Sequence, residues 1–314
     1  MRKSEDSLVA WIASRRSDPN RADTIGIGDD MAMVRVGSEK VLLTADMLMD
    51  GVHFDTSIHE PGRIGRKAMA VGLSDCAAMA VRPRYAVVSV GLPDSWSIQQ
   101  AKDLFVGMEG MAAAYHCEIV GGDTNSWSKP LALDVTLVAT PYPDVEPVRR
   151  DGVRPGDELF VTGRLGGSLR GRHMTFEPRV EEAHRLASML GNSLHAMMDL
   201  SDGLSTDAGR MASASGCGLV FETPSLEHVI SDAAKQSATE DRRTPLAHAL
   251  HDGEDFELLF AVETGVMRTS EQRDSDHLVS RTFIGTAVAE PGVWLRSSDG
   301  AQTAIEPGGW QHFT

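Results

Sequence analysis

The sequence predicts a mixed α/β protein, of α+β rather than doubly wound type, divided into two domains. Three observations carry this. The chain has 314 residues, enough for more than one core. Strand-like and helix-like runs are interspersed without strict βαβ alternation. A stretch rich in proline, charge and glycine, PYPDVEPVRRDGVRPGD, interrupts them near the middle. The boundary falls near residue 147, giving units 1–147 and 148–314.

The first unit opens on a short amphipathic helix that directs Leu8, Trp11 and Ile12 inward. Its strand-like runs are KVLLTADML, RYAVVSVGLP and LALDVTLVAT, rich in β-branched residues. Apolar residues at helical spacing predict helices over 62–80 and 97–115. The second unit carries DELFVTG, GLVFE, FELLFAV, TFIGTAV and VWLR as strands, with helices over 178–190 and 203–214. Residues 229–247 have few large apolar groups and read as a loop.

Composition narrows the function. No run of about 18 apolar residues appears, so no membrane span is expected, and the N-terminus lacks the pattern of a secretory signal. Three scattered cysteines, Cys76, Cys117 and Cys217, form no CxxC pair and fit a reducing cytoplasm. A net charge of -15 argues against nucleic acid as the partner. It leaves room for small phosphorylated substrates, because bound Mg²⁺ reverses the local field.

Acids recur in glycine-rich contexts: GIGDDMAMV, TADMLMDGVHF, GGDTN and DLSDG. Like charges repel, so such crowding implies either a cation among them or spread over solvent. In the first motif, glycines let Asp29 and Asp30 project from a turn, a role that turn chemistry alone also explains. In the second, a buried strand ends at Thr44, Ala45 and Asp46, placed either to hold a metal or as satisfied polar groups, and His53 follows as a substrate contact. Asp75 lies on the apolar face of its helix with Ile64, Ala68, Val71 and Met79, and must be metal-bound or paired, with Arg82 as the alternative partner. Gly121, Gly122 and Asp123 close an apolar run. These glycines admit a phosphate close to the backbone, or mark an ordinary strand exit. Asp199, Ser201, Asp202 and Asp207 crowd the mouth of a helix, more acid than a cap requires. The chain has no P-loop, no complete dinucleotide fingerprint, no HExxH, no GxSxG and no protein-kinase motif set.

Taken in order, GIGDD, TADMLMDGVHF, RKAMAVGLSDCAAM, GGDT, RDGVRPGDELFVTGRLGGS, FEPRV, MMDLSDGLSTDAG and DGEDFELLF resemble the thiamine-monophosphate kinase family. That family belongs to the aminoimidazole ribonucleotide synthetase-like superfamily. The resemblance runs from about residue 24 to the C-terminus, poorly matched around 225–245. It implies two α/β domains and a homodimer whose N-terminal strands join into a barrel. It also implies ATP and several Mg²⁺ ions in a cleft, with K⁺ a further candidate cation. By resemblance, Asp30, Thr44, Asp46, Asp75, Asp123, Asp199 and Asp202 fall on metal positions. Phe105, Gly122, Asp123, Arg150 and Ser201 fall on nucleotide positions, and His53, Glu254 and Trp310 on thiamine-phosphate positions. Trp310, near the end of GGWQHFT, would otherwise serve to staple the tail.

Three residues depart from the family pattern: Ala45 for a hydroxyl residue, Asp252 for a glycine, and Phe105 for a tyrosine. The implied reaction is phosphorylation of thiamine monophosphate by ATP, with the substrate phosphate attacking directly. Two other readings stand beside it. One is a different ATP-dependent synthetase of the superfamily, although residues 1–25 lack the cysteine that selenophosphate synthetase would need. The other is an inactive dimeric binding module, against which the retained acids argue.

Overall fold

The computed structural model describes residues 5–15, 24–267 and 280–310. The chain begins with α1 (Glu5–Ser14). Leu8, Trp11 and Ile12 on this helix are exposed, contrary to the inward packing expected of them. Ten residues present too narrow an apolar side to anchor themselves, and the Arg15 guanidinium lies 5.1 Å over the Trp11 ring.

The first sheet comprises β1 (Ala32–Val36), β2 (Glu39–Met49), β3 (Val81–Pro93), β4 (Glu118–Trp127) and β5 (Ala132–Pro141). Their spatial order is β1-β2-β5-β3-β4. All pairs are antiparallel except β3 with β4. The sheet is open. Thr44 and Asp46 sit inside β2 rather than at its end, and Gly121–Asp123 sit inside β4 rather than at a strand exit. Pairing of β2 with β5 continues through Met49, which prolongs the strand past the acid.

Two helices connect these strands. The first, α2 (Pro61–Ala78), starts with proline at its first turn, where a missing N–H costs nothing. The second, α3 (Ile98–Ala114), starts with a reciprocal cap between Ser97 and Gln100. Most of α2 is buried: it packs on α3, β2, β3, β5 and on elements of the second half.

The second half contains β6 (Glu158–Thr162), α4 (Val180–Leu190), β7 (Leu194–Asp199), α5 (Leu204–Ser215) and β8 (Gly218–Glu222). It continues through α6 (Thr223–Glu227), α7 (Asp232–Glu240), α8 (Pro245–His251), β9 (Leu258–Val262), β10 (Arg281–Val288), β11 (Gly292–Arg296) and β12 (Gln302–Ala304). The strands form a second open sheet in the order β12-β11-β8-β10-β6-β9-β7. Most of the span 229–247, expected to be a loop, is helical. Ser231 and Thr244 each accept a hydrogen bond from the first turn of a helix, and Pro245 starts α8. Caps and the Arg170–Glu240 ion pair hold this region with little apolar burial.

One core joins the halves. Side chains of α2 and the inner face of the first sheet pack with Phe160, Met197, Phe256 and Phe260. A second core lies wholly in the later half, around Leu159, Phe221 and Leu259. Cys76, Cys117 and Cys217 are buried and unpaired. No helix among the described residues is long and apolar enough to cross a membrane.

Helices α2 and α3 cross at backbone contact. A Cβ on Gly107 would lie 1.9 Å from the Gly62 carbonyl oxygen, and one on Gly65 would lie 1.9 Å from that of Leu104. Gly107→Ala should therefore destabilise, because overpacking against backbone costs about 1–3 kcal/mol and exceeds the gain in helix propensity of about 1 kcal/mol. Gly110, on the same helix, has open space at its Cβ position. Gly110→Ala should raise the melting temperature while Gly107→Ala lowers it; equal shifts in thermal melts would contradict the contact.

Candidate active site

Helix α2 brings Ser74 and Asp75 against the C-terminal end of β7, where Asp199 sits. Asp30 approaches from the loop before β1. Carboxylate oxygens of Asp30, Asp75 and Asp199 all lie within 4.8 Å of one another. Thr44 donates its hydroxyl to Asp75 Oδ2, and Ser74 donates to Asp199 Oδ2 at 2.5 Å. Arg82, the alternative partner for Asp75, lies on β3 and is exposed; its guanidinium lines a separate cavity with Tyr142 and His184.

These acids are poorly compensated. Burial foremost pushes Asp30 and Asp199 up to about 6, and burial with repulsion from Asp134 pushes Asp46 to about 7. Asp75 is raised well above the carboxylate range by burial, then by Asp46, Asp199 and Asp30. Among the described residues, Oδ2 of Asp30 and of Asp46 is buried without a hydrogen-bond partner. Among the described residues, Arg150 is the cation bonded to this cluster: it bonds Asp30 at 2.5 Å and lies 3.6 Å from Asp29. Oxygen donors, crowding and two orphaned carboxylate oxygens suit a hard divalent cation.

A cleft of about 350 Å³ opens beside the acids. It is lined by Asp46, His53, Ser201, Asp202, Glu254 and Trp310, among others. Thus six residues singled out from the sequence meet in one place, drawn from both halves of the chain. Asp202 is held by Arg210 at 2.5 Å, and its N–H donates to Asp207 Oδ2 at 3.0 Å. The tail crosses the start of α5: the N–H of Gly308 donates to Ser205 Oγ, that of Gly309 to Thr206 Oγ1, and that of Trp310 to the Asp202 carbonyl. Trp310 is 50% exposed, so its ring borders the cleft rather than filling a core. Residues beyond Trp310 lie outside the described residues.

Other expected residues lie apart from these acids. Asp123 is exposed on the edge strand β4, with Asn125 Nδ2 at 2.8 Å. Gly122 has φ +153°, and a Cβ there would lie 1.8 Å from the Val88 carbonyl oxygen, so β3 and β4 require glycine. Phe105 is half-buried on α3 against the shared core. Ala45 lines the cleft without a side-chain donor. Asp252 accepts from Gly167 N–H at 2.9 Å and pairs with Arg243 at 2.8 Å, so the added carboxylate is used to fix a loop.

Sequence reasoning missed a buried network around Glu254. Lys67, with no exposed surface, places Nζ 2.8 and 2.7 Å from the two Glu254 oxygens and also donates to the His53 carbonyl. His173 Nδ1 lies 3.0 Å from Glu254 Oε2. Burial opposes ionisation of Glu254, yet His173 and Lys67 outweigh it and hold the carboxyl below its usual range. Lys67 falls at helical spacing between Ile64 and Val71 on the apolar face of α2. A lysine inside that stripe was the available signal. For His173, sequence offered none.

The raised acids make stability depend on pH. They hold their protons to higher pH in the fold than in the unfolded chain. Their contribution to stability is thus full below about pH 4 and lost as pH rises through 6 to 7. A divalent cation should offset the loss only where the acids are ionised. Millimolar Mg²⁺ should raise the melting temperature more at about pH 8 than at about pH 5. Equal shifts at both would argue against a cation among these acids.

Comparison with known proteins identifies the family. Residues 28–140 match AIR synthase related protein, N-terminal domain, and residues 154–280 match AIR synthase related protein, C-terminal domain. The chain is 38% identical to thiamine-monophosphate kinase of Rhodopirellula baltica, across 98% of this chain and 97% of that protein. It is 33% identical to thiamine-monophosphate kinase of Aquifex aeolicus, across 91% and 92%. Among solved structures it is similar to AaThiL complexed with AMPPCP and TMP, with TM-score 0.82, 30% identity and coverage of 100% and 99%. With the two-sheet architecture and the acid-lined cleft, these likenesses establish that the chain belongs to the thiamine-monophosphate kinase family of AIR synthase-related proteins.

Proposed function

We propose that the protein transfers the γ-phosphoryl group of ATP directly to the phosphate of thiamine monophosphate, giving thiamine diphosphate and ADP, with Mg²⁺ required. The observation that carries this reading is the meeting of Asp30, Asp75 and Asp199 beside a cleft bordered by His53, Glu254 and Trp310. The similarity to a structure complexed with AMPPCP and TMP supports both substrates.

Asp30, Asp46, Asp75, Asp199 and Asp202 would hold the metal, with Thr44 orienting Asp75. Mg²⁺ bound there would supply the positive charge that neutralises the phosphates. The chain's own residues do the rest. A phosphate monoester, with second pKa about 6, is already ionised at neutral pH and needs no general base. Its oxygen forms the new bond to the γ-phosphorus as the bond to the ADP oxygen breaks, so positioning is the main demand. Arg150, which bonds Asp30, would be the cation available to a nucleotide phosphate. Trp310 offers a ring face to the thiazolium cation.

An exposed apolar surface on the first sheet supports a homodimer. Met47 and Val120 are 61% and 55% exposed, and Met49, Tyr85, Val87 and Trp127 are exposed on the same three strands, β2, β3 and β4. Such an apolar surface on an open sheet calls for a partner. The N-terminal unit, taken to end at residue 147, would meet its copy there and close the strands into a barrel.

Chromatography of a mixture of ATP, Mg²⁺, thiamine monophosphate and protein should reveal thiamine diphosphate; its absence would overturn the reading. Asp75→Asn should lower turnover by about a hundredfold or more while circular dichroism stays native. Trp310→Ala should raise KM for thiamine monophosphate by about two- to thirtyfold, corresponding to about 0.5–2 kcal/mol, and leave KM for ATP unchanged. An early-melting Trp310→Ala with normal KM would make the ring a staple only. Val87→Glu should convert the dimer to monomer in sedimentation velocity; an unshifted dimer would place the interface elsewhere.

A further inference from the structure

We propose that Lys67 is a positioning residue for the acceptor substrate: one buried ammonium fixes the separation of the two walls of the cleft. This rests on the cleft being the thiamine monophosphate site.

The walls come from different halves. His53 belongs to the loop after β2, Glu254 to the loop between α8 and β9. Lys67 reaches both loops. Its ammonium contacts the His53 carbonyl, the two Glu254 oxygens and, at 3.0 Å, His173 Nδ1. His173 Nδ1 also lies 3.0 Å from Glu254 Oε2: as N–H it donates to that carboxylate, and as a bare nitrogen it accepts from Lys67.

The backbone of the Glu254 loop needs such a hold. Glu254 and Phe256 adopt left-handed φ of 63° and 48°, which side-chain-bearing residues rarely take. The Glu254 N–H donates to Ser201 O at 2.6 Å and the Phe256 N–H to Leu200 O at 2.8 Å. These bonds tie the loop to the Asp199–Asp202 segment, which carries acids of the cluster. Lys67 ties it to α2, which carries Asp75. A single helix thus registers the acceptor wall against the acids.

The arrangement also assigns a charge role. With its carboxylate bonded to Lys67 and His173, Glu254 presents little net negative charge to the cleft. It therefore shapes the site rather than acting as the counter-ion of the thiazolium.

The test uses the full-length protein. Lys67→Met removes the ammonium but strands a buried carboxylate, so it will also unfold part of the population. Lys67→Met with Glu254→Gln removes both charges and should fold. Steady-state kinetics of the double variant should show KM for thiamine monophosphate raised about tenfold or more, with KM for ATP unchanged and melting temperature near the parent's. His173→Gln should raise the same KM less. A stable double variant with parental KM for both substrates would overturn the proposal, as would equal increases for ATP and thiamine monophosphate. Trp310→Ala without effect on thiamine monophosphate would instead remove the cleft as the acceptor site. An effect of Trp310→Ala together with a silent double variant would remove Lys67 alone.

Discussion

Everything at the centre of this molecule depends on carboxylates buried together where two halves meet. Asp30, Asp46, Asp75 and Asp199 come from four separate segments, and one arginine stands among them. Burying them ionised without a cation would be strongly unfavourable. Without metal, the fold accommodates them by raising their pKa and by spending Arg150 on Asp30. Such an arrangement stores affinity for a divalent ion in the fold itself. It fits the burial of most of helix α2, which carries Ser74 and Asp75, and the shared core that runs from it into the second half.

The second buried charge array is solved in the opposite way. Around Glu254, donors and acceptors balance within the protein: one ammonium, one imidazole, one carboxylate and one carbonyl. A further ionic group sits at Glu257, which accepts from Thr162 and from both Arg172 and Arg179. These closed networks hold loops. The contrast is one of charge balance: the acids of the cluster are under-neutralised within the protein, whereas Glu254 and Glu257 are paired.

Much of this was legible in the sequence. The main strands and the long helices follow from β-branched runs, caps and periodicity, and the acids from their crowding beside glycines. The misses have physical reasons. Strand β4 was obscured because GGDTN reads as a turn, yet Gly122 is there to let β4 approach β3. Residues 229–247 looked like a loop because α7 is held by caps and ion pairs, which leave no apolar stripe. Residues Leu8, Trp11 and Ile12 show the limit of reading burial from periodicity: the pattern gives a helix side, not what covers it. The Lys67–His173–Glu254 network joins positions more than a hundred residues apart, and only the fold brings them together.

Division of labour between the halves follows from these placements. The acids are shared across the junction: Asp30, Asp46 and Asp75 come from one half, and Asp199 and Asp202 from the other, so a metal bound as proposed would need both. The acceptor cleft is divided in the same way, with His53 on one side and Ser201, Glu254 and Trp310 on the other. Any change in the angle between the halves would therefore move metal ligands and substrate contacts together. A rigid junction would serve the proposed direct transfer between two bound anions, in which alignment would carry the rate. Continuity of the apolar core across that junction, from Leu73 and Met69 on α2 to Met197 and Phe256, supplies the rigidity.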